Sequence, residues 1–169
     1  LMMQAMAHKA ALFSAASKRK VNELALAQLT GMIKADRTVI IERRDATCPA
    51  LNPTIAIALD QNRGMYIPDT QVDRVIVTGQ KPGELNDIFS AKMETMGLDQ
   101  AALQGLPYRS VAVFPLVSGL NQVLPLDQYK RHGAIVMCAK SANLLDPISD
   151  ISPLRTFAEY AAVALSGKS

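Results

Sequence analysis

Two apolar runs near the C-terminal end constrain this chain more than any other feature. Residues 110–117, SVAVFPLV, and 133–140, GAIVMCAK, each read as a buried strand bounded by polar or turn-forming residues. About fifteen polar-rich residues separate them, including NQVLPLDQ, enough for a hairpin loop with a strand extension. Two adjacent core strands joined this way predict an antiparallel sheet. Pro115 interrupts the first run. Proline donates no ladder hydrogen bond, so a bulge or an edge position is expected there. A helix is predicted to follow: Pro153 opens it, Leu154, Phe157, Ala158, Ala161 and Leu165 share one stripe, and Gly167 ends it.

The rest of the chain supplies partners for that sheet. From Gln4 to Lys34 only Gly31 breaks a run rich in alanine and leucine, which predicts one long helix. Leu12, Ala16, Leu24, Ala27, Leu29 and Ile33 cover more than one stripe, so this helix is expected to bury two faces. RTVIIERR (37–44) reads as a strand. After the loop DATCPALNP, a short helix is predicted from Thr54 to Gln61, capped near Asn52, and MYIPD (65–69) is a strand closing on a turn. Past the break at GQKPGE, Leu85, Ile88, Phe89, Met93 and Met96 recur at helical spacing, predicting a helix over Glu84–Met96. A second short helix is expected from Asp99 to Gln104. This order of elements predicts an α+β domain: a central antiparallel sheet with helices from both termini.

Composition sets limits. The chain has 169 residues, of which 49% are hydrophobic and 20% charged, with no tryptophan and eight methionines. That fits one domain with an aliphatic core. No run of eighteen apolar residues occurs, so no membrane span is expected, and a cytoplasmic location is. The net charge is +3, but residues 1–44 hold eight lysines and arginines against three acids. That basic front reads as a solvated helix face, and nucleic acid is not an expected partner. Cys48 and Cys138 do not form a disulfide framework. No phosphate loop, clustered metal ligands or Ser-His-Asp spacing is visible, and no enzymatic activity is expected.

Five stretches together resemble the GAF domain family, over about Leu24 to Leu165. They are ADRTVIIERRD, NRGMYIPDTQVDR, YRSVAVFPLV, HGAIVMCAKS and DISPLRTFAEYAAVAL. The resemblance implies a sheet with the terminal helices on one face and a helical insert, residues 70–106, roofing a ligand pocket on the other. It implies two parts: residues 1–34 as a signalling or dimerisation helix, and 35–169 as the sensory domain. It also implies a sensory module of a larger signalling protein. Such a module binds a small molecule, forms a homodimer through its terminal helices and acts on an attached output domain. The alternative is a structural dimerisation module whose pocket is collapsed.

The expected ligand contacts are Asp69, Thr70, Phe89, Tyr108, Arg109, Ser110 and Phe114. Arg109 and Ser110 offer a cation and a hydroxyl at the mouth of a core strand. A surface carboxylate pairing with Arg109 is the competing role. Asp69 and Thr70 stand at a turn, where they can instead bond their own backbone. Phe89, with Ile88 and Met93, could form an apolar lid, though any buried helix shows the same spacing. Covalent bilin attachment in the resembling family needs a cysteine in the insert, and residues 75–109 have none, so a covalent bilin is not expected. Haem needs an axial ligand, and His8 and His132 stand in unsuitable settings, so haem is not expected either. A cyclic nucleotide stays open, although the Asn-Lys-Phe-Asp-Glu set of the phosphodiesterase-type members finds no match. The ligand itself is not named by the sequence.

Overall fold

The computed structural model describes residues 1–79, 87–119 and 128–168. The predicted loop at NQVLPLDQ, most of GQKPGE and the start of the predicted helix at Glu84 lie largely outside those residues. Among the described residues, six strands form one antiparallel sheet: β1 (Arg37–Ile41), β2 (Met65–Ile67), β3 (Val75–Thr78), β4 (Ile88–Ala91), β5 (Ser110–Ser118) and β6 (Lys130–Ala139). Their order across the sheet is β1-β6-β5-β2-β3-β4, and every neighbouring pair is antiparallel.

β5 and β6 are central, as their apolar runs require. Alternation along β5 sends Ala112, Phe114 and Leu116 to one face and Val111, Val113 and Val117 to the other. The proline is accommodated in two ways. β2 pairs with β5 only as far as Met65↔Val113, so Pro115 lies past the end of that ladder. The register against β6 also slips between Leu116 and Val117, which leaves His132 as the extra residue of a bulge. β5 is an interior strand, but at Pro115 its β2-side ladder has ended, so both expectations hold locally: an unpaired edge at the proline and a bulge just beyond it.

The first face carries the terminal helices: α3 (Lys18–Met32) and α6 (Ile151–Ser166), with α1 (Met2–Ala7) and α2 (Lys9–Ser14) laid over α6. The predicted single helix over 4–34 is thus three helices. Ala15 is extended, and the Ser17 hydroxyl accepts from Lys20 N at 3.2 Å, starting a new helix. Folding back lets Ala5 and Leu12 bury against α6, which is itself buried at ten positions. Among the described residues, no helix is long and apolar enough to cross a membrane.

The second face carries α4 (Asn52–Gln61), the segment 93–106 and its short helix α5 (Gln100–Gln104), whose N-cap is Asp99. The predicted helix over Glu84–Met96 is corrected. Residues 88–91 are the edge strand β4, residues 75–78 are β3, and among the described residues of the predicted helix only a single 3-10 turn, Glu94–Met96, is helical. Among the described residues of the expected insert, β3 and β4 therefore widen the sheet, and the segment from Met93 onward lies over the second face. A 3.6-residue spacing across so few positions also fits a short strand followed by a turn, and ladder pairing with β3 decided between them.

Gly133, beside the bulge, closes β6 against β1. Its φ is +138°, and a Cβ there would stand 2.6 Å from the Ile41 carbonyl oxygen. Gly133→Ala is therefore expected to cost about 2–3 kcal/mol from backbone strain and clash. The urea midpoint should fall with no change in slope.

Candidate functional site

The turn after β2 and the start of β5 bring five of the seven predicted contacts together. Arg109 donates from Nε to Asp69 Oδ1 at 3.0 Å and from Nη2 to Oδ2 at 2.6 Å, a two-pronged ion pair. That bond holds the Asp69 carboxyl below its usual range and raises the Arg109 guanidinium. Thr70 N donates to the Arg109 carbonyl, and Gln100 Nε2 donates to the Thr70 carbonyl. The buried Ser110 hydroxyl donates to the Ile67 carbonyl and accepts from Leu144 N. Half-buried Tyr108 packs on the second-face core, where burial raises its phenol. The pairing with a carboxylate thus holds Arg109 in place, and its charge is answered within the chain.

Phe114 and Phe89 stand apart from this mouth. Phe114 is 1% exposed on the first face, in the core that includes α6. Phe89 sits on the edge strand β4 at 39% exposed, with the Arg63 guanidinium 5.4 Å from its ring centre. Met93 is fully buried on the second face with Leu51, Ile55 and Leu103, while Ile88 packs on the first-face core. No single helical lid forms from them.

A concave site opens at the other end of the second face. A cleft of about 320 Å³ lies between α4 (Ala56, Leu59, Asp60), the arch Glu42-Arg43-Arg44 after β1, and Arg131 of β6. That volume falls at the lower end of small-molecule pockets. Three local structures hold its walls. Asp45, 1% exposed, pins the far end of the arch: Arg37 donates to Oδ1 at 2.8 Å and to Oδ2 at 2.5 Å, and Thr47 N and Cys48 N both donate to Oδ1 at 3.0 Å. Asp45 N in turn donates to Asn52 Oδ1 at the start of α4. Burial pushes the Asp45 carboxyl up, but the Arg37 and backbone donors outweigh it and hold the group below its ordinary value. Arg131 donates to the carbonyls of Leu59 and Asp60 at 2.8 and 3.1 Å, closing the C-terminal turn of α4 with a cation.

Arg155 completes this set. It is 2% exposed in the middle of α6, and its Nη2 donates to both the carbonyl (2.8 Å) and Oδ1 (2.9 Å) of Asn62. Asn62 is the left-handed C-cap of α4, with φ +51°. Burial pulls the guanidinium down to about 10, which leaves it charged at neutral pH, and Glu159 acts in the opposite direction. The end of α4 is thus gripped by Arg131 from β6 and by Arg155 from α6.

None of Arg37, Asp45, Arg131 and Arg155 was among the predicted contacts. One signal was available: residues 151, 154, 155, 158, 161, 162 and 165 form an uninterrupted helical stripe, and a charge at 155 in that stripe must be buried. The Arg37–Asp45 pair left no comparable mark.

Among the described residues, an open six-strand antiparallel sheet with terminal helices on one face and short helices on the other defines an α+β architecture. No family model and no curated protein sequence matches this chain. Solved structures do. The phycoerythrobilin-bound GAF domain from a cyanobacterial phytochrome aligns with TM-score 0.61 at 11% identity, over 98% of this chain and 92% of that one. A phycocyanobilin-bound GAF domain from a cyanobacterial phytochrome aligns with TM-score 0.63 at 11% identity, over 99% and 94%. The Stigmatella aurantiaca phytochrome photosensory core module aligns with TM-score 0.64 at 14% identity, over 99% of this chain and 36% of that longer one. The chain has a GAF-like fold. The expectation set against a bilin is corrected by the same comparison, because two of these neighbours are GAF domains with a bilin bound.

Proposed function

We propose that this chain is a non-enzymatic sensory module that holds a small molecule in the cleft beside α4 and reports its presence through α6. One observation supports the reading above others: α4 forms a wall of the cleft, and its C-cap is clasped by the buried Arg155 of α6. A ligand resting on Ala56 and Leu59 loads the helix end that Arg155 grips. Occupancy then biases the packing of α6, and the bias equals the ligand's differential affinity for two packings, about 1–3 kcal/mol in working switches. A bilin is the first ligand to try, since GAF neighbours carry one. An attached output domain would read α6, in line with the longer Stigmatella neighbour. Met3, Met6 and Phe13, exposed on α1 and α2, are the surface this reading assigns to a homodimer.

A second reading is a structural dimerisation module. The close filling of the second face by Leu51, Ile55, Met93 and Leu103 favours it. One experiment separates the two. The chain is mixed with a free bilin and with a metabolite panel, and melting temperature and amide exchange over residues 151–166 are followed. Under the sensory reading a binding compound raises the melting temperature and slows exchange in α6. In Arg155→Lys binding persists while the α6 response shrinks. If no compound changes either quantity, the structural reading replaces the sensory one.

A further inference from the structure

We infer that the cleft beside α4 selects a small molecule carrying an anionic group, phosphate or carboxylate, held by Arg43 and Arg44; this rests on the reading of that cleft as the ligand site. The other arginines are engaged away from this cleft or by its walls: Arg19 pairs with Glu23, Arg63 donates to the Thr78 carbonyl and lies over Phe89, and Arg74 donates to Ser90 Oγ. Arg37 and Arg109 are each closed on a carboxylate by two bonds, Arg155 is sealed on Asn62, and Arg131 is engaged by the carbonyls of α4. Arg43 and Arg44 line the cleft with no ion pair among the described residues.

The two side chains also stand on a prepared support. Their arch is fixed before them by the β1–β6 ladder at Ile41↔Ala134 and after them by the buried Asp45. A three-residue arch anchored at both ends loses little backbone freedom when a ligand binds, which favours affinity. A neighbouring cleft of about 220 Å³ shares Glu42 and Arg131 and adds Lys18, which extends the positive field along the end of the sheet; His132 also lines it, but burial and the nearby lysines push its imidazole below the ordinary value, so it adds no charge at neutral pH. Two carboxylates oppose the field within the first cleft, Glu42 and Asp60. They explain why an isolated anion should bind weakly, and they give the inference a sign that can be checked.

The probes are pyrophosphate and citrate, titrated at low salt and read by amide chemical shifts of residues 42–44 and 56–60. Both should bind the wild-type chain, and the stronger of the two tells whether phosphate or carboxylate is preferred. The double variant Arg43→Glu with Arg44→Glu should weaken binding at least about tenfold, the loss of one charge-assisted contact or more. Asp60→Ala should strengthen it. Arg74→Glu with Lys92→Glu makes the same charge change beside β3 and β4, at the opposite edge of the sheet, and should leave binding within about twofold after correction for long-range screening. The inference is overturned if neither probe shifts those residues, or if the two double variants weaken binding equally. A neutral compound that binds the cleft and slows exchange in α6, with no change in the Arg43/Arg44 variant, would overturn this inference while leaving the sensory reading in place.

Discussion

Asp45→Ala should lower the stability of the domain by about 3 kcal/mol, and a calorimetric melting temperature should fall by about 6–12 °C. The substitution leaves the Arg37 guanidinium in a part-buried setting with no counter-charge, and it removes the acceptor of the Thr47 and Cys48 amides. Breaking a buried ion pair from one side typically costs about 3–5 kcal/mol. The lower end applies because the Arg37 side chain keeps 15% exposure and can recover some hydration. Asp45→Asn is a milder change, since the amide oxygen can still accept from the two backbone groups. The pair also has a pH signature. The folded state holds the Asp45 carboxyl below its unfolded value, near 3.9. Its contribution is therefore complete above about pH 4 and is lost as pH falls through the lower, folded value. Acid denaturation of the wild type should steepen in that window, and Asp45→Asn should flatten it. An unchanged acid limb in the asparagine variant would remove Asp45 as the anchor of the arch.

Arg155→Ala is expected to cost about 3–4 kcal/mol, read from urea unfolding. It opens a cavity within α6, strips the donor from the Asn62 carbonyl and Oδ1, and leaves Glu159, already pushed up by burial, without its nearby cation. Arg155→Met is the informative companion. Methionine fills much of the volume and carries no charge to desolvate, so it should recover much of the loss. A methionine variant as stable as the wild type, but with α4 and α6 exchanging amides independently, would assign Arg155 to coupling rather than to stability. A methionine variant as unstable as the alanine one would assign the clasp to stability alone.

The elements that were legible share one property: their residues announce themselves locally. The runs read at 110–117 and 133–140, found as strands 110–118 and 130–139, the α6 stripe and the Asp99 cap all follow from periodicity or from a side chain bonding its own neighbours. The misread elements depend on distant partners. Residues 88–91 are a strand because β3 offers a ladder edge, and the first 34 residues fold into three helices because Ala5 and Leu12 can bury against α6, far along the chain. The candidate site divides in the same way. Asp69, Thr70, Tyr108, Arg109 and Ser110 stand together where β2 ends and β5 begins, held by the Arg109–Asp69 ion pair. Phe89 and Phe114 do not join them, since strand alternation sends Phe114 to the opposite face and β4 carries Phe89 to an edge.

By itself the sequence determined an antiparallel α+β sheet, its two central strands and the helix that covers them, because hydrophobic spacing along the chain specifies which face of each segment must be buried. Only the tertiary structure decided which arginines are satisfied and which face a cleft. Arg37, Arg109 and Arg155 find partners 8, 40 and 93 residues away. Hydrogen bonds of such reach exist only once the sheet has brought their elements together, and no local pattern encodes them.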